Sequence, residues 1–210
     1  MFSLSLPSVV QRPNVMCAAA AQRLLLHRAG SPRRAAVEAF ISAVYRERYG
    51  AELRHFAPVL VSLHDEHGAC LTAAGYRAAD GGPLFLERYL SGAVESLLPA
   101  PAGRAAQRRH IVEVGHLAAV RAGEGRRLIR LLGPHLAGQG FEWVVSTLTQ
   151  ELRKLFVRMG VAPLALGVAD PAVLGDQAAQ WGSYYDHRPL VLAGRLDAAL
   201  QMLAQRGVAA

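Results

Sequence analysis

The 210 residues are 52% hydrophobic and 19% charged, a balance that excludes a disordered chain. A chain of this length buries roughly 70% of its unfolded surface, enough for one full core without disulfide staples. The net charge is +7, yet Lys154 is the only lysine among 23 basic residues, and the arginines are spread along the chain without a basic-aromatic motif. That distribution favours acidic partners and argues against nucleic acid.

Residues 1–21 read as a loose N-terminal extension, followed by one domain over 22–210. The extension lacks a basic n-region and is broken by Pro7 and Pro13, so it makes a poor signal peptide. Cys17 and Cys70 stand in unrelated contexts with no CxxC, as thiols of a reducing compartment do. No run approaches the ~18 apolar residues of a membrane span. The expected location is cytoplasmic.

In chain order, Arg23–His27 is a short strand. Ser31-Pro32 opens a helix carrying Val37, Phe40, Ile41 and Val44 on one stripe and ending at Gly50. Two apolar runs, Pro58–Leu63 and Ala69–Tyr76, flank the polar turn His64–Gly68 and form a hairpin. Leu84–Leu98 reads as a second helix, and Pro99–Gly103 breaks the chain. Ile111–Ala118 is a strand by its β-branched alternation. After Gly123-Glu124-Gly125 comes a helix with Leu128, Leu131 and Leu132, which Pro134 is expected to kink or end.

Phe141–Val145 is the next strand. Thr147–Met159 is a helix with a Thr147-x-x-Gln150 capping box, stopped at Gly160. Val161–Val168 is a strand, Pro171–Trp181 helical, Pro189–Ala193 the last strand and Leu196–Ala204 the closing helix. The order β-α-β-β-α-β-α-β-α-β-α-β-α predicts an α/β fold with a mixed sheet and helices on both faces. No GxGxxG follows the first strand, so a dinucleotide-binding alternation is excluded.

This order resembles the GNAT N-acetyltransferase fold. The stretches Phe85–Leu90, Ile111–Ala118, Glu142–Val145 and Trp181–Tyr185 resemble the thermostable hemolysin family in identity and order, as do Leu152-Arg153, Ala169-Asp170-Pro171 and Pro189–Gly194. The family name implies lysis of cells. The fold implies a mostly antiparallel central sheet with a V-shaped cleft between the fourth and fifth strands, and kinship with acyl-homoserine-lactone and N-acyl amino acid synthases. Gly75-Tyr76-Arg77 matches their Gly-x-Arg, whereas His116 stands where they carry arginine.

Glu113 is the leading catalytic candidate. Alternation puts it on one face with Ile111, Gly115 and Leu117, and apolar surroundings raise a carboxylate pKa toward the range of a general base. Gly115 would permit a bulge beside it. The other reading of Glu113 is a structural carboxylate paired with an arginine of the next strand. Tyr184 or Tyr185, in Trp181–His187, is the candidate acid for a leaving thiolate.

The resemblance implies that Gly123 and Gly125, with Arg121, Arg126 and Arg127, cradle the pyrophosphate of a donor at a helix N-terminus. Arg77, Trp143 and Trp181 are the candidate substrate contacts. His64-Asp65-Glu66-His67 lies in a turn and does not make a metal site, and no Gly-x-Ser-x-Gly elbow signals a serine hydrolase. The expected function is transfer of a fatty acyl group from a thioester, acyl-CoA or an acidic acyl carrier protein, to a small amine. The competing reading is a membrane-active or lipid-binding protein without catalysis, and peripheral membrane contact is compatible with either.

Overall fold

The computed structural model describes residues 23–100, 105–121 and 123–207; the expected extension at 1–21, with Cys17, and part of the Pro99–Gly103 break lie outside the described residues. Seven strands form one sheet: β1 (Leu25–His27), β2 (Val59–His64), β3 (Cys70–Ala78), β4 (Ile111–Ala119), β5 (Trp143–Leu148), β6 (Leu164–Val168) and β7 (Leu190–Arg195). Their spatial order is β1-β2-β3-β4-β5-β7-β6. Among the described residues only β4 and β5 pair in parallel. The expected mixed, mostly antiparallel sheet is present.

Helix α1 (Arg34–Tyr49) covers one face of the sheet, packing Val37, Ile41 and Tyr45 on Leu60, Ala73 and Ala118. It stops where Gly50 takes φ 66, the left-handed turn that glycine adopts without strain. The opposite face packs Val61, Ala74, Tyr76 and Val112 against Leu128, Leu132 and Leu136 of α3 (Glu124–Gly138) and Leu196 of α5 (Leu196–Gly207). Pro134 lies inside α3 and does not end it. Burial of the Leu128, Leu132 and Leu136 stripe, about 1.5–3 kcal/mol per side chain, outweighs the roughly 3 kcal/mol an internal proline costs.

Two further helices read from sequence are corrected. Leu84–Leu98 is not one helix but a 3₁₀ turn (Phe85–Tyr89) and a single α-turn, α2 (Val94–Leu97). Residues two apart cannot share a helix face, and only this broken path sends Leu84, Leu86, Val94 and Leu98 into one core. Thr147 is not a helix cap. It pairs with Val191 in the β5–β7 ladder, and α4 (Gln150–Arg158) begins at Thr149. Pro171–Trp181 is 3₁₀ helix kinked at Gly175. Among the described residues no helix is long and apolar enough to cross a membrane.

The 79–98 segment is tied to the sheet by Arg108. Its guanidinium bonds Glu87 Oε1 at 2.7 Å, Glu95 Oε2 at 2.7 Å and the carbonyls of Ala79 and Gly82 at 2.9 Å. Burial pushes the Glu87 carboxyl up, but the Arg108 hydrogen bond and the amides of Val94 and Leu84 hold it down to about 2. The stability this carboxylate contributes is therefore complete above its ordinary value of 4.5 and is lost as pH falls toward 2. Arg108→Met should cost about 3 kcal/mol in urea unfolding near neutrality, because Glu87 and Glu95 are left unmatched. The deficit should shrink below pH 4, where the wild type loses the same contribution.

Candidate active site

The parallel ladder between β4 and β5 spans three residue pairs, Ile111–Trp143, Val112–Val144 and Glu113–Val145, and then stops. Beyond it β4 stays with β3 and β5 stays with β7. A cavity of about 170 Å³ opens on the α1 face at this point. Its lining includes Arg77, Glu113, Trp181, Tyr184 and Tyr185, all singled out in the sequence. Tyr45, Phe56, Phe85, Tyr89 and Thr147 complete much of the wall.

The floor is made by two glycines. Gly75 of β3 and Gly115 of β4 lie directly opposite each other. At Gly75 a Cβ would stand 2.8 Å from Ala57 Cβ and 3.0 Å from Leu60 Cδ2, so the position has no room for a side chain. At Gly115 a Cβ would meet nothing within 4 Å, because it would project into open space.

Glu113 is pinned in the wall by backbone amides. Phe85 N–H donates to its Oε2 at 2.9 Å and Leu86 N–H to its Oε1 at 3.0 Å. Burial raises its pKa, while those two amides and the facing Arg77 pull it down. Its immediate partners are thus main-chain donors, where the sequence offered an arginine. Arg77 sits opposite Glu113 in the β3–β4 register, and its guanidinium reaches the Pro83 carbonyl at 3.5 Å.

Tyr184 is buried and donates to the Thr147 carbonyl at 3.2 Å. The Tyr185 and Tyr89 hydroxyls are 2.6 Å apart. Burial pushes all three phenols up, so they stay protonated near neutral pH. The rings of Trp181, Tyr184 and Tyr185 pack within 6.3 Å of one another and close one side of the cavity.

A bulge sits in β4, but Gly115 does not carry it. Between Ala73–Ala118 and Gly75–Gly115, one residue of β3 faces two of β4, and His116 takes φ 54. The extra residue inverts the alternation beyond it. Leu117, expected beside Glu113, packs on the opposite face with Val114, and Ala118 turns toward α1. His116, read as a core residue sharing the Val112 and Val114 face, instead lines the cavity.

The remaining candidates lie elsewhere. Trp143 is buried in the core with Ile111, Val191 and Ala193, and Arg195 stacks over its ring at 5.7 Å; it is no part of the cavity wall. The turn holding Arg121, Gly123, Gly125, Arg126 and Arg127 starts α3, with Gly123 at φ 102 as its cap, and contributes nothing to the lining. Its arginines are exposed. Among the described residues no three His, Cys, Asp or Glu side chains gather as a metal site. His64 bonds Ser62 Oγ and the Gly68 carbonyl within the hairpin.

Several wall residues escaped the sequence reading. Tyr45 continues the α1 stripe four residues after Ile41 and looks like ordinary core. Phe56 sits in an irregular connection with no periodic signal.

A family model described as Thermostable hemolysin matches residues 27–200. No curated protein sequence matches the chain. Among solved structures, the acyl-homoserine-lactone synthase LasI superimposes with TM-score 0.58 at 14% identity, over 87% of this chain and 94% of its own. FeeM, an N-acyl amino acid synthase from uncultured soil microbes, gives 0.58 at 12% identity, over 88% and 97%. BjaI, a CoA-dependent acyl-homoserine-lactone synthase solved with SAM and isopentyl-CoA, gives 0.54 at 13%, over 88% and 89%. At these identities the likeness establishes a shared fold.

The two floor glycines should respond oppositely to a methyl group. Gly75→Ala should lower stability by about 1–3 kcal/mol through overpacking. Gly115→Ala should leave it unchanged or raise it by about 0.4–1 kcal/mol through the unfolded state. Paired thermal and urea melts read both.

Proposed function

The chain belongs to the thermostable hemolysin family, and from that premise we propose that it is an acyltransferase, moving a fatty acyl group from a thioester donor to a small amine held in the cavity. The observation that carries this reading is the early end of the β4–β5 ladder, which leaves a cavity with a part-buried carboxylate in its wall. The names of the fold's relatives support it: they are acyl-homoserine-lactone and N-acyl amino acid synthases, and one was solved with SAM and isopentyl-CoA.

In this mechanism the amine nitrogen attacks the thioester carbonyl carbon. A carbon–nitrogen bond forms, the carbon–sulfur bond breaks, and the nitrogen loses a proton to Glu113. Burial, which favours the neutral carboxyl, raises the basicity of this acceptor. The leaving thiolate takes a proton from Tyr184 or Tyr185, both kept protonated by burial. Aromatic walls exclude water that would otherwise hydrolyse the thioester. Arg77 and Trp181 contact the acceptor.

The donor enters past the start of α3, where Arg121, Arg126 and Arg127 meet its phosphates and Gly123 and Gly125 allow close approach. A net charge of +7 suits either acyl-CoA or an acidic acyl carrier protein, and both donors imply a cytoplasmic setting. Direct membrane insertion by the 84–98 segment finds no support, since Leu84, Leu86, Val94 and Leu98 are spent in the core.

Incubation with acyl-CoA and acyl-carrier-protein donors and pooled primary amines, read by mass spectrometry, should yield N-acyl products. Glu113→Gln should lower the rate about 10²–10⁴-fold and cost about 1–3 kcal/mol of stability, because its NH2 group must face one of the two amide donors of Phe85 and Leu86. Products absent from every donor and amine pairing, or full turnover in Glu113→Gln, contradict the mechanism.

A further inference from the structure

The mechanism above leaves two tyrosines as alternative proton donors, and their hydrogen bonds separate them. The Tyr184 hydroxyl, on a side chain 6% exposed, donates to the Thr147 carbonyl at 3.2 Å. A carbonyl oxygen only accepts, so a phenolate at Tyr184 would face a lone pair and lose the bond it had. Tyr185 has a different kind of partner. Its hydroxyl is 2.6 Å from that of Tyr89, and either oxygen can donate or accept. A phenolate at Tyr185 therefore keeps its bond, with the Tyr89 O–H as donor, and a hydrogen bond to a charged oxygen is stronger than one between neutral hydroxyls.

The surroundings decide which member of the pair carries the charge. Tyr89 ends the 3₁₀ turn whose first two amides hold the Glu113 carboxylate. Burial, the hydrogen bond and charge of Tyr185, and that carboxylate push the Tyr89 phenol up, against the pull of Arg88. Tyr185 is pushed up by burial but drawn back by the Tyr89 hydroxyl and by Arg88. Tyr184 has no such help, since burial and the neighbouring phenols all oppose its ionisation. Tyr89 and Tyr185 are only half-buried and both line the cavity, whereas Tyr184 is buried.

We infer that Tyr185 is the proton donor of the cavity and that Tyr89 is its positioning residue, donating a hydrogen bond to the phenolate that remains. The inference rests on the reading of this cavity as an acyl-transfer site. As the carbon–sulfur bond of the thioester breaks, sulfur keeps the electron pair and takes the Tyr185 proton. The phenolate then holds the negative charge until a solvent proton restores the phenol. Burial alone makes a phenol a reluctant acid, because it disfavours the charged form. The Tyr89 O–H offsets that cost at the oxygen where the charge develops.

Difluorotyrosine, whose ring fluorines bring titration near neutrality, can replace Tyr185 or Tyr184 in the full chain and be followed by absorbance. In place of Tyr185, its acid dissociation constant should fall about 10-fold or more on Tyr89→Phe, the loss of one hydrogen bond to a charged group. In place of Tyr184, it should not respond to Tyr89→Phe. Turnover of an alkyl thioester against the phenyl thioester of the same fatty acid then reads the role. A phenyl thiolate leaves without an acid, so Tyr185→Phe should slow the alkyl thioester about 10²-fold and the phenyl thioester far less. Tyr89→Phe should act in the same direction, on kcat and not on KM, whereas Tyr184→Phe should alter the two thioesters alike. A Tyr185 probe indifferent to Tyr89→Phe, or a Tyr185→Phe protein that slows both thioesters equally, overturns the assignment. Those failures leave wild-type transfer intact; absence of transfer in wild type would instead remove the proposed reaction and the donor role with it.

Discussion

A carboxylate withdrawn from water must be met by donors, and the way the part-buried Glu113 is met organises this molecule. Its two oxygens take the amides of Phe85 and Leu86, the start of the 3₁₀ turn that crosses the end of the sheet. That contact fixes where the 84–98 segment lies. It brings Phe85 and Tyr89 to the cavity rim and lets Leu84 and Leu86 fill the core behind it. Arg108, bridging Glu87 and Glu95, clamps the same segment from the far side. Glu113 also occupies the last rung of the β4–β5 ladder, so the residue that anchors the crossing segment stands where the two strands part.

The parting is a consequence of pairing preferences on either side. β4 holds an antiparallel ladder to β3 as far as Ala119, and β5 holds one to β7 as far as Leu148, so each keeps its main-chain bonds without the other. The bulge at His116 then twists the far half of β4 and changes which side chains face α1. Small residues follow from this arrangement. Gly75 admits the close approach of Ala57 and Leu60, Gly115 leaves open space above the sheet, and the rings from α1 and the Trp181–Tyr185 turn roof it. A ring-lined chamber with the Glu113 carboxylate in its wall beside several protonated phenols suits proton transfer in a dry site.

Much of the fold was legible in the sequence because its signals are local. The α1 stripe ending at Gly50, the Asp65-centred hairpin and the β-branched run of β4 each follow from periodicity or turn chemistry. What was not legible depends on tertiary competition. Thr147 has the spacing of a cap, but its strand partner Val191 claims it. Leu84–Leu98 has helical composition, but the core reaches for residues that no single helix face presents. In the site, alternation placed Glu113 and Gly115 on the cavity face and then failed at His116, since one extra residue in β4 exchanged the roles of His116 and Leu117. Trp143 was misplaced for a simpler reason: an aromatic on a central strand near a site reads the same whether it faces cavity or core.

The account stands on the cavity at the β4–β5 divergence being the place of reaction, and filling its floor tests that directly. Gly115 faces open space, so Gly115→Phe puts a ring into the chamber without a packing clash at its Cβ. Acyl transfer from a long-chain thioester to primary amines, measured for wild type and variant beside their melting curves, is the decisive comparison. The account predicts turnover in wild type and a loss of about 10²-fold or more in Gly115→Phe, with both proteins folded. Equal turnover in the two would put the chemistry elsewhere and contradict it.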